Sequence, residues 1–73
     1  MGESWMIEWW EVNPVTEEVE HNSDSWRKWE DVVRIIHDCM TDTLCEKAKV
    51  YYFSGEWTAP KLILEYCPEC GVN

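Results

Sequence analysis

A chain of 73 residues is long enough for one domain and no more, and a domain of that size keeps only a thin stability margin over its chain entropy. An apolar fraction of 45% excludes a disordered tail, and no stretch approaches the ~20 apolar residues that cross a bilayer. The formal net charge of −9 speaks against phosphate neutralisation, so the expected partner is not nucleic acid but a protein with a basic surface.

The charge is concentrated at the beginning. Residues 1–25 hold Glu3, Glu8, Glu11, Glu17, Glu18, Glu20 and Asp24 and no Lys or Arg. The apolar run in this stretch is interrupted by Glu8 and Glu11 and lacks a basic leader, so no signal peptide is expected and the chain reads as cytoplasmic. In that compartment disulfides are disfavoured, and clustered cysteines point to a metal.

In chain order, residues 1–23 form an acidic, tryptophan-rich segment. Within it, 4–12 (SWMIEWWEV) reads as a strand with Trp5, Ile7 and Trp9 on one face and Met6, Glu8, Trp10 and Val12 on the other. Asn13-Pro14 marks a turn, 15–20 a short edge strand or loop, and 21–25 a polar connector. A helix is expected over 24–40, capped by Ser23, Asp24 or Ser25, with Trp26, Trp29, Val33, Ile36 and Met40 along its apolar face and Val32 and Cys39 beside it. Residues 47–53 and 61–66 read as a hairpin whose loop carries Trp57, with Leu62, Leu64 and Tyr66 on one face. The fold class that follows is α+β: one amphipathic helix on a three- or four-stranded antiparallel sheet, in a single domain over 1–73 with a zinc-linked hairpin and knuckle at 45–70.

Cys67-Pro68-Glu69-Cys70-Gly71 is the most specific string in the chain. A CxxC turn brings two thiolates to one ion, Pro pre-sets φ, and Gly permits a left-handed residue after it. This CPxCG string resembles the knuckle of zinc-ribbon proteins, which implies a metal-binding turn and no particular activity. Hairpin pairing brings Cys45 and Cys67 together, and Cys39 lies close enough in sequence to turn back toward them. Cys39, Cys45, Cys67 and Cys70 are therefore the expected ligands of a structural Zn²⁺, a staple suited to a small domain. His37 or His21 could stand in for Cys39, but His37 and Cys39 point about 200° apart on a helix, so only one of those two can serve. Disulfides and free buried thiols are the plainer alternatives. Four thiolates leave no open position for catalysis, and a redox role for CPEC lacks the usual helix N-terminus.

No nucleophile–base pair or phosphate loop stands out, so the chain is not expected to be an enzyme. Trp5, Glu8, Trp9, Trp10 and Glu11 are the candidate partner-binding residues, because adjacent tryptophans on one strand must face opposite sides and charge-rimmed tryptophan suits an interface anchor. Small acidic chains of this kind resemble phage-encoded regulators that bind bacterial RNA polymerase, a resemblance of size and charge alone. It implies an inhibitor or modulator of transcription, and the chain is expected to be a monomer. A DNA-mimicking, anti-restriction inhibitor is the alternative, in which carboxylates imitate phosphates.

Overall fold

The structure, a computed structural model, describes residues 2–55, 59–69 and 71–72. Trp57 and Cys70 lie outside the described residues. The elements run β1 (Ser4–Val12), β2 (Val19–Trp26), α1 (Trp29–Thr41), β3 (Cys45–Phe53), β4 (Lys61–Cys67) and β5 (Gly71–Val72). All pairings are antiparallel and the sheet order is β2-β1-β3-β4-β5. The α+β architecture expected from the sequence is thus the fold, with a two-residue β5 added to four longer strands.

β1 occupies the limits its composition suggests and runs between β2 and β3, so both its edges are paired. Asn13 closes the following turn. Its side-chain oxygen accepts from the N–H groups of Val15 (2.8 Å) and Thr16 (3.3 Å), and its backbone exchanges bonds with Glu17 and Glu18. Glu17 takes a left-handed φ of 63° to complete the reversal.

The segment after that turn departs from expectation. Residues 19–26 are strand throughout, in an unbroken register with β1 from Val12↔Val19 to Trp5↔Trp26, so 21–25 is not a connector and the helix does not begin at 24. The ladder outweighs the capping chemistry of Ser23, Asp24 and Ser25: pairing beside Trp5 packs Trp26 against the core, and the Asp24 carboxylate accepts from the next N–H, Ser25, at 2.9 Å. The helix starts five residues later behind Lys28, which offers no side-chain cap, with Glu30 and Asp31 in its first turn as the macrodipole favours.

The buried stripe of α1 is also rotated from the expected one. Val32, Ile36 and Cys39 are buried, whereas Trp29, Val33 and Met40 are 43%, 48% and 44% exposed. These three buried residues meet Ile7 of β1 and Cys45, Ala48 and Val50 of β3, which together form the core. Trp5, Trp9, Trp26, Ile35, Leu64 and Tyr66 close around it, half-buried. Trp5 sits between Trp29 and Tyr52, with ring centroids 5.7 Å away in each case.

Two register shifts shape the sheet. Trp10 pairs with Lys47 and Glu11 with Cys45, leaving Glu46 as an extra residue in β3. That bulge allows Cys45, Ala48 and Val50 all to face inward, which strict alternation would forbid. Val50 pairs with Leu64 and Tyr51 with Leu62, leaving Ile63 extra in β4. Leu62 therefore stands opposite Tyr51 instead of joining Leu64 and Tyr66, and both Leu62 and Ile63 are about two-fifths exposed.

Candidate metal centre and docking surface

The C-terminal end of α1, the bulged start of β3 and the end of β4 converge on the cysteines. Cys39, 6% exposed, reaches down from the last turns of the helix, and Cys45, 2% exposed, reaches in from the bulge. The pair stands near 4.3 Å. That is longer than the roughly 3.8 Å that separates two sulfurs on one tetrahedral zinc with Zn–S bonds near 2.3 Å. Cys45 and Cys67 line one groove of about 550 Å³ together with Leu44 and Pro68. Cys39 opens on a second groove, of about 210 Å³, beside Trp9, Glu11, Asp38 and Asp42. Gly71 takes the left-handed φ, +79°, that the CPxCG string anticipates.

The structure therefore brings Cys39 to Cys45 and sets Cys67 on the groove that Cys45 shares. Among the described residues, no group of three or more His, Cys, Asp or Glu forms a set able to hold a metal ion, and Cys70 lies outside them. His37 is exposed on the helix. His21 is engaged elsewhere, its Nε2 lying 2.8 Å from Glu8 Oε2.

Electrostatics at this end favour a cation. The last turn of α1 carries no basic residue, and Asp38 and Asp42 add to the negative end of its macrodipole. The Cys39 thiol is pushed up to about 12, first by burial and then by the neighbouring Cys45 sulfur, Glu11 and Asp42. Burial also raises Cys45, while hydrogen bonding from the Cys39 thiol and from the Lys47 backbone pulls it the other way. Glu11 and Asp42 are neighbours of these thiols that no local sequence signal marks. Glu11 arrives through its pairing with Cys45, which only the register reveals.

The five candidate partner-binding residues divide between the two sides of β1. Trp5, Trp9 and Glu11 lie on the helix side, where the Trp9 indole N–H donates to Glu11 Oε1 at 3.2 Å. Glu8 and Trp10 lie on the side without a helix. There the Trp10 ring packs against His21 at 4.8 Å, and Lys47 Nζ sits 4.5 Å from its centroid. Tyr51 belongs to the same face; its phenol is pushed up by desolvation first and then by the Glu8 and Glu65 carboxylates. Nothing short of cross-strand pairing places Lys47 and Tyr51 beside Trp10 and Glu8.

No protein-family model, curated protein or solved structure matches the chain. No helix among the described residues is long and apolar enough to cross a membrane.

Proposed function

We propose that this protein is a binding module and not an enzyme: an acidic regulator that docks its β1–β2 hairpin on a basic surface of a larger protein. The observation that carries the reading is the state of the acids on that hairpin. Glu17, Glu18, Glu20 and Asp24 are all exposed, and no Lys or Arg occurs anywhere in residues 1–25. Among the described residues the single ion pair is His21–Glu8, so none of these four carboxylates has a cationic partner among them. Unpaired charge of one sign on an exposed element steers a partner of the opposite sign.

The partner class follows from the same chemistry. A basic surface large enough to engage a hairpin is what a nucleic-acid machine presents to its template, and bacterial RNA polymerase is the instance implied by small phage-encoded regulators of similar size and charge. Trp10, fixed between His21 and Lys47, is the anchor on the open face. A structural zinc on Cys39, Cys45, Cys67 and Cys70 would tie helix, hairpin and C-terminal turn together. It supplies fold stability and no reaction step.

The test is capture of purified bacterial RNA polymerase by wild type, by a Glu17/Glu18/Glu20→Gln variant and by Trp10→Ala. Binding lost in both variants supports the reading, and binding unaffected by the charge variant overturns it. Loss in the charge variant alone, with steep salt dependence and indifference to Trp10→Ala, favours the phosphate-mimicking inhibitor. Metal analysis of the purified protein tests the zinc: one equivalent per chain is expected, and none removes it from the account.

A further inference from the structure

We infer that β2 is a strand-addition edge, which accepts an extended basic segment of the partner as a sixth strand of the sheet. The inference rests on the docking role proposed for the acidic hairpin and specifies its mode.

The backbone geometry gives the direction of each group. Val12 donates to the Leu44 carbonyl on the β3 side of β1, and Asn13 donates to Glu18 on the β2 side. Alternation along β1 then aims Trp5, Ile7, Trp9 and Glu11 at β2. Their partners Trp26, Asp24, Asn22 and Glu20 return those bonds, so the N–H and C=O groups of Val19, His21, Ser23 and Ser25 point away from the sheet. The Ser25 N–H confirms the direction, since it is met by its neighbour's carboxylate and not by a strand. Val19, His21 and Ser23 remain as a row of outward donors and acceptors.

The other side of the sheet is less suited. β4 is kinked by the extra Ile63, and its last residues, Tyr66 and Cys67, are covered by β5. β2 pairs through eight consecutive positions without a shift, so its outer edge is regular.

Charge selects the occupant. Glu20 and Asp24 lie four positions apart on one face of β2, both exposed, where they would stand beside the side chains of an added strand. A second copy paired antiparallel about Asn22 would set Glu20 against Asp24, like charge against like. A segment with Lys or Arg at alternate positions meets both acids with opposite charge, while its backbone meets Val19, His21 and Ser23.

The probe is a seven-residue peptide alternating Lys and Thr, titrated into the full chain and followed by amide NMR shifts. Shifts and slowed hydrogen exchange confined to 19–25 are expected, with no binding of the Glu-for-Lys peptide. Ser23→Pro removes one outward donor and leaves the β1 pairing intact, so affinity should fall about tenfold while the melt stays cooperative. A peptide N-methylated on its pairing edge should fail in the same way with wild-type protein, which keeps the test valid if Ser23→Pro does not fold. Shifts around Trp10 and Lys47, indifferent to both changes, overturn strand addition and leave the docking role standing. So does capture of the polymerase without any peptide binding. Concentration-dependent self-association mapped to β2 overturns the basic occupant in favour of a second copy. Failure of both peptide and polymerase removes the inference and the docking role together.

Discussion

The two faces of the sheet use the same strands for opposite purposes. On the helix side, Ile7, Ala48 and Val50 are fully buried beneath Val32, and among the described residues no polar or charged residue is buried. On the open side, the alternate residues Glu8, Trp10, Lys47 and Tyr51 hold one another with rings and charges at the surface. A strand with two paired edges must satisfy both environments, and β1 does so by strict alternation. The comparison teaches that tryptophan content says little by itself: Trp9 and Trp10 are neighbours in sequence and belong to different physical regimes.

The largest test of that contrast acts at the cysteine end of the covered face. If zinc is bound there, chelation should abolish the cooperative calorimetric transition, since structural zinc contributes on the order of 10 kcal/mol in small domains. An unchanged transition after verified metal removal would leave the core as the sole source of stability. Next in size, Ile7→Ala should cost about 3 kcal/mol in urea denaturation, because it opens a cavity between sheet and helix. A cost below about 1 kcal/mol would mean that the helix collapses into the space.

The third test uses pH. In the metal-free protein the Cys39 thiol stays protonated up to about 12, above its ordinary value of 9.0. The folded state thus retains a proton that the unfolded chain releases, and stability should fall between those two pH values by up to about 1.4 kcal/mol per unit for this one group. Zinc-bound thiolates reverse the sign: the loaded protein should lose stability toward acid, as protons compete for sulfur. Thermal melts across pH 4–11 with and without zinc would separate the two forms (~pH limits set by ordinary buffers). The smallest effect is Trp10→Ala, at about 1 kcal/mol of folding stability, which measures the ring and cation contacts of the open face. A cost equal to that of Ile7→Ala would erase the distinction between the faces.

The legible parts of the fold were those whose chemistry is local. β1 carries aromatic and branched residues in alternation, and the 47–53 and 61–66 runs announce a hairpin. β2 was not legible because Val-Glu-His-Asn-Ser-Asp-Ser is polar on both faces, as an edge strand can be, and its structure comes from β1 alone. The buried helix face is not legible because apolar residues occur on both borders of α1, and only the sheet decides which border is buried. At the cysteines, hairpin pairing linked Cys45 to Cys67, and only a short sequence separation pointed Cys39 toward them. Glu11 and Asp42 could not be read in this way, since their proximity depends on register.

The extra residue in β3 bears on how the chain tolerates changes of length. In an unbulged strand of the same sequence, counting back from Ala48 would turn Cys45 to the open face, away from Cys39. Deleting Glu46 restores alternation with Cys45 still inward, so the loss of a residue there is absorbed. Inserting one beside it spends the slack and parts the two thiols, although every cysteine remains in the chain. At this position, shortening is forgiven and lengthening is not.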